Sequence, residues 1–156
     1  MFNAKLKNEL AAERARALQS EALNHAMHAH LPMIEFTPEG HILDASPLFL
    51  STVGYSLKEI VGQHHAIFCR KEDSDSPSYR EFWRNLANGH NQHGTFQRVG
   101  KHGQEIWLEA TYFPVSQDGK VIKVVKIASD VTLQHDQLMT QKAIFEALDR
   151  SLAVIE

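Results

Sequence analysis

The pattern of apolar and polar positions divides the chain into a helical lead-in, a mixed body and a helical exit. Residues 2–28 are rich in Ala, Leu, Glu, Lys, Arg and Gln and contain no Gly or Pro, a composition that favours helix. Phe2, Leu6, Leu10, Ala17 and Leu18, then Ala22 or Leu23, recur at three-to-four spacing between charges, which predicts a one-sided helix. The row is too ragged for a committed coiled coil. Such a helix needs a partner, either its own sheet or a second copy of itself.

After Pro32 the pattern shortens. MIEFT and HILDA are β-leaning runs separated by Pro38-Glu39-Gly40, which is turn chemistry, so they predict a hairpin. Ser46-Pro47 puts proline at the first position of a helix that Gly54 ends. Ser56 and Glu59 form a capping-box pair that opens a further short helix, stopped at Gly62. Residues 71–78 read as polar loop. Ser76-Pro77 then announces a helix with Tyr79, Phe82, Trp83 and Leu86 on one face and Gly89 as terminator. Strands are expected over 94–100, 105–115 and 120–132, joined by turns at 101–103 and 117–119. Residues 133–150 return to helix, with Leu138, Ile144, Phe145 and Leu148 as apolar points. This order predicts an α+β fold: a five-stranded antiparallel sheet with short helices gathered on one face, between a long N-terminal helix and a C-terminal connecting helix.

Composition narrows the function classes. A chain of 156 residues with 43% hydrophobic and 22% charged positions is globular and sized for about one domain. A net charge of −3 without any basic run gives no pull toward nucleic acid or an anionic membrane. Cys69 is the only cysteine, so an intrachain disulfide is excluded. No apolar run approaches the roughly 18–20 residues of a bilayer span, and the charged start lacks the core of a signal peptide. A cytoplasmic setting is expected.

Catalytic signatures are absent: there is no GxSxG, no GxxxxGK[ST] and no HExxH. The histidines, including His25, His28, His30, the adjacent His64 and His65, His90 and His93, lack metal-ligand spacing and read as solvated surface groups. Strand alternation aims Arg98 to the same side as Phe96, where a buried guanidinium would want an anion. A strand twisted outward would instead leave Arg98 in water. That solvated placement is the plainer expectation for Arg98 and for Lys126.

Specific residues carry a family resemblance. GHILDAS at 40–46, VGYSLKEIVG at 53–62, GQEIWLEA at 103–110, DGK at 118–120 and IASDVT at 127–132 resemble the PAS family of sensory domains. YREFW at 79–83, WLEATY at 107–112 and VVKIASD at 124–130 are most similar to PAS domains of aerotaxis receptors and of soluble tandem-PAS methyl-accepting chemotaxis proteins. The resemblance implies a sensor, not an enzyme. It would act within a chemotaxis-type receptor, or as the input module of a sensor kinase or cyclic-dinucleotide enzyme, or as a ligand-free dimerisation unit. It implies an N-terminal dimerisation helix at 1–30, a PAS body at 31–133 and a linker helix at 134–150. The stretch 147–156 aligns without a gap on 26–35, with Ala26/Ala147, Leu31/Leu152, Ile34/Ile155 and Glu35/Glu156 identical. Residues 151–156 are therefore expected to start a second PAS repeat, with further signalling domains downstream. A homodimer through the N-terminal helix is the expected assembly.

The resemblance also implies where a ligand would sit, between the sheet and the helices. FAD stands ahead of haem, and a colourless small ligand or none at all stays open. Trp83, Arg70, Asn85, Arg98, Leu108, Ala110 and Ala128 are the implied lining, while core packing of Phe82 and Trp83 is the plainer reading. In light-sensing relatives an adduct-forming Cys follows the GYSxxEIxG run. Here His65 holds that position, Cys69 falls further along, and Leu108 and Ala128 replace flavin-binding amides, so a blue-light adduct is disfavoured. Ala45-Ser46 replaces the usual Ala-Asn. Haem would call on His64 or His65 as its ligand.

Overall fold

Local signals place most of the elements. In the computed structural model, which describes residues 1–155, helix α1 spans Phe2–His30 and ends at Leu31, whose extended backbone is the conformation a following proline imposes. Strands β1 (Met33–Phe36) and β2 (Ile42–Ala45) form the expected hairpin. Helix α2 (Pro47–Val53) starts at Ser46, whose hydroxyl accepts from the Phe49 N–H at 3.3 Å and from the Met33 N–H at 2.8 Å. One buried side chain thus caps a helix and ties it to β1. Gly54 closes α2 in the left-handed conformation, at φ 79°. The Ser56–Glu59 capping box opens α3 (Leu57–Ile60). A short 3-10 helix follows at His65–Phe68, then α4 (Lys71–Ser74) and α5 (Pro77–Ala87), the last capped by Ser76.

Strands β3 (Gln92–Val99), β4 (Glu105–Gln117) and β5 (Lys120–Asp130) complete one sheet in the order β2-β1-β5-β4-β3, every neighbour antiparallel. Asp118 and Gly119 both take positive φ, which a tight β4–β5 hairpin requires. Helix α6 runs from Thr132 to Ile155.

One expectation is corrected. Residues 71–74 are helical, with Glu72 and Asp73 in the first turn of α4, where acids suit the positive helix end. The segment 147–155 stays helical throughout, although its aligned counterpart turns to strand at Met33. Ala153 stands where that counterpart has Pro32, so nothing stops the helix. Glu156, the last residue of the aligned stretch, lies outside the described residues.

The sheet's covered face follows the period of two. Ile34 and Phe36 from β1, Val124, Lys126 and Ala128 from β5, Ile106, Leu108, Ala110 and Tyr112 from β4, and Arg98 from β3 are all buried on it. Phe49, Val53, Ile60, Phe68, Trp83 and Leu86 close the core from the helical side. The β1–β2 turn lies tight against this layer. A Cβ on Gly40 would come within 2.6 Å of His64 Nε2 and 3.1 Å of Trp83 Cε2, and its φ of +98° also favours glycine.

The flanking helices are different in kind. None of α1 is buried, and Phe2, Leu6, Leu10, Leu18 and Leu23 face solvent. Only its C-terminal end meets the body, with His28 3.4 Å from Asp44. On α6, Leu138, Ile144, Phe145, Leu148 and Leu152 are exposed. Among the described residues, no helix is long and apolar enough to cross a membrane.

Candidate ligand site in the domain interior

Beneath α5 the core is polar at its centre. His65, at the start of the 3-10 helix, is fully buried, contrary to the solvated reading of the histidines. Its ring lies between two tyrosines: Nδ1 is 2.7 Å from the Tyr79 hydroxyl on α5, and Nε2 is 2.9 Å from the Tyr112 hydroxyl on β4. Phe36 and Trp83 present their rings at centroid distances of 5.4 and 5.3 Å. Burial, then the positive charges of Arg98 and Lys126, hold the imidazole well below its ordinary pKa. The unfolded imidazole protonates near its ordinary value. Stability present above that value is therefore lost as pH falls below it.

Arg98 and Lys126 correct the solvated expectation as well. Arg98 is 7% exposed. It donates from Nη2 to the Tyr112 hydroxyl at 3.1 Å and from Nη1 to the Gln97 carbonyl at 2.9 Å, and its guanidinium carbon lies 4.8 Å from the centre of the Phe96 ring. Lys126 stands opposite Tyr112 in the β4–β5 register and is fully buried, with Nζ 4.8 Å from the Tyr112 ring centre and 5.5 Å from that of Phe49. Burial, and secondarily the charge of Arg98, push the Lys126 ammonium well below its usual range. The same burial raises the Tyr112 phenol to about 12 despite Arg98 beside it. Desolvation also raises Cys69, whose Sγ is 3.6 Å from His65 Nδ1; this favours the thiol over a reactive thiolate.

Three donors in this layer find no acceptor: Trp83 Nε1, Arg98 Nε and Lys126 Nζ. Buried donors normally find partners, and each orphan costs about 1–3 kcal/mol. A surface pocket of about 420 Å³ between β3 and the α4–α5 segment leads inward to Arg98.

The residues implied as lining separate into two groups. Trp83, Arg98, Leu108, Ala110 and Ala128 are buried on the facing walls of the interior. Arg70 lies at the surface, held by Asp73 at 2.8 Å and Glu72 at 3.3 Å, and reaches only the outer pocket. Asn85 is half-buried on α5, where its backbone carbonyl accepts from Asn88 and His90. His64 uses both ring nitrogens: Nδ1 accepts from the Ala66 N–H at 3.0 Å, so Nε2–H donates to the Glu39 carbonyl at 2.9 Å. With His65 engaged at both nitrogens too, neither ring offers a free lone pair to haem iron, and haem does not fit this packing. Among the described residues no group of three or more His, Cys, Asp or Glu is placed to hold a metal ion.

Tyr112, Tyr79 and Lys126 were absent from the sequence-based lining. Tyr112 carried a signal: it continues the alternation Ile106, Leu108, Ala110 on β4. Lys126 sits between Val124 and Ala128 on the same alternation of β5.

The site connects to the exit helix through β4. The Val131 N–H donates to the Trp107 carbonyl at 2.8 Å, and the Trp107 N–H donates to Thr132 Oγ1 at 2.9 Å. The Trp107 indole stacks on His135 of α6 at 3.8 Å and 17°.

A curved antiparallel sheet with helices over one face and a buried polar centre defines a sensory-domain architecture, and the comparisons agree. The PAS fold family matches residues 42–128, and the chain belongs to it. Over 132 residues it is 39% identical to the biofilm dispersion protein BdlA of Pseudomonas aeruginosa, a match covering 84% of this chain and 32% of that protein. It is 24% identical over 111 residues to the aerotaxis receptor of Escherichia coli, covering 71% of this chain and 21% of that receptor. The chain thus spans a third or less of these relatives' lengths. An RNA-binding light-oxygen-voltage receptor superposes with a TM-score of 0.66 at 25% identity, covering 86% of this chain and 39% of that one. A light-oxygen-voltage domain studied with a flavin analogue gives 0.60 at 21% identity, over 81% of this chain and 93% of that one.

Proposed function

We propose that this domain is the cytoplasmic, non-enzymatic input module of a chemotaxis-type receptor. It senses a small molecule at the His65–Tyr112–Arg98–Lys126 cluster and signals through its flanking helices. The observation that carries this reading is the set of buried donors without acceptors. A core built only for stability would have filled these positions with apolar side chains. A molecule rich in acceptors would satisfy them and reset the packing of β4 against β5. Trp107 and Thr132 would pass that change to α6, whose exposed apolar row offers a contact for the next module. The domain organisation proposed is 1–30, 31–133 and 134–150, followed by a second repeat from 151. Pairing of α1 with a second copy would cover Leu6, Leu10 and Leu18. Sedimentation with and without residues 1–28 tests that pairing, and an unchanged mass would refute it.

A bound flavin is the second reading, favoured by the similarity to flavin-type neighbours and by Trp83 Nε1 and Arg98 Nε as donors to its ring edge. It requires the stack of Phe82, Trp83, His65 and Tyr112, with centroids 4.8–5.8 Å apart, to open. Flavin would supply redox chemistry when bound. The absorption spectrum and native mass spectrum of the purified domain decide. The expected result is a colourless protein with a small non-covalent mass or a ligand-dependent melting temperature. A flavin band would move the assignment to redox sensing. A colourless protein that no small molecule stabilises would leave only a dimerisation unit.

A further inference from the structure

Resting on the sensory reading above, the geometry points to a ligand class: a small organic carboxylate, held by the Nε–H edge of Arg98 and by Lys126 Nζ beside the Tyr112 ring. The first observation is a charge imbalance. The buried polar residues described are Ser46, His65, Arg98 and Lys126, with no Asp or Glu among them. Elsewhere this chain pairs basic groups that are far less buried: Arg70 with Asp73, Lys101 with Glu59, Lys123 with Glu35. The two basic side chains most removed from water, Arg98 and Lys126, have no acid beside them. A guanidinium is always charged, so its burial calls for an anion.

The second observation is geometric. Arg98 spends Nη1 on Gln97 and one Nη2 hydrogen on Tyr112, which leaves the Nε edge open. That planar edge matches the two oxygens of a carboxylate. Lys126 Nζ supplies a second donor across the Tyr112 ring. Inorganic phosphate shares the charge, but Phe96 lies against Arg98, and Phe49 and Tyr112 lie against Lys126, aromatic surface that suits an anion with an organic body. The approach is the outer pocket, where Arg98 is reached past Tyr79, Phe82 and Phe96. Trp107 also borders it, so the entrance adjoins the residue that stacks on α6.

Thermal melting of the whole chain with acetate, pyruvate, succinate, malate and benzoate at fixed ionic strength, against phosphate and chloride, tests the assignment. Wild type, Lys126→Met and Arg98→Lys are compared. Lys126→Met removes a buried unpartnered donor and is expected to melt higher than wild type. At least one carboxylate should raise the wild-type Tm. Lys126→Met should weaken that binding at least about tenfold, the loss of one charge-assisted hydrogen bond. Arg98→Lys, which keeps charge but loses the planar edge, should weaken it as well. Equal shifts in wild type and both variants, shifts with phosphate or chloride alone, or no shift across the panel would each overturn the assignment. A flavin or haem spectrum without any carboxylate response would overturn it while leaving the sensory reading intact. Variant-sensitive carboxylate binding that leaves α6 unchanged would do the reverse.

Discussion

Trp83→Ala is expected to lower stability by about 3–5 kcal/mol, the range for removing a large aromatic from a packed core. At about 2–4 °C per kcal/mol for a chain of this size, the melting point should fall by roughly 6–20 °C. Trp83 is 7% exposed and meets Phe36, His65 and Phe82 at 5.3, 5.3 and 5.8 Å between centroids. Gly40 closes over its edge, so the neighbouring backbone cannot collapse cheaply into the void. Urea unfolding read by tyrosine fluorescence checks it. Loss below about 1 kcal/mol with ligand response abolished would make Trp83 a binding wall, not a core residue.

Tyr112→Phe is expected to cost about 2–6 kcal/mol while changing almost no volume. The lost hydroxyl accepts from Arg98 Nη2 and meets His65 Nε2. Both partners then stand unpaired in the core, at about 1–3 kcal/mol each. Tyr79→Phe should cost less, because Tyr79 is only half-buried and water can reach what it leaves. A double-mutant cycle of Tyr112→Phe with Arg98→Leu isolates the pair. Strong coupling is expected, since removing both partners leaves fewer orphans than removing one. Strict additivity would show that Arg98 draws nothing from the phenol.

Legibility in the sequence tracks the range of the interaction involved. Ser46-Pro47, Gly54, Ser56 with Glu59 and Ser76-Pro77 act within one helical turn, and each marks its boundary where the structure has it. The sheet was legible because β4 alternates from Glu105 to Tyr112 and the turn at Asp118-Gly119 joins it to β5. Arg98 beside Phe96 on the covered face also follows from alternation. His65 did not announce itself, because its burial depends on contacts from distant elements: Phe36 on β1, Tyr79 on α5 and Tyr112 on β4. Lys126 was obscured by composition, since a lysine inside a Val-rich strand reads as a solvated position until both neighbours of that central strand are placed. The short α4 failed for a third reason: its four residues offer no periodicity to read.

The central claim is that a change at the interior cluster reaches α6 through Trp107. Amide hydrogen exchange along residues 132–138 measures it, with and without the carboxylate that stabilises the wild type, in wild type and in Trp107→Ala. The predicted result is a ligand-dependent change in protection at the start of α6 in wild type that disappears in Trp107→Ala, while ligand binding is retained. Identical exchange at residues 132–138 in free and liganded wild type would contradict the account.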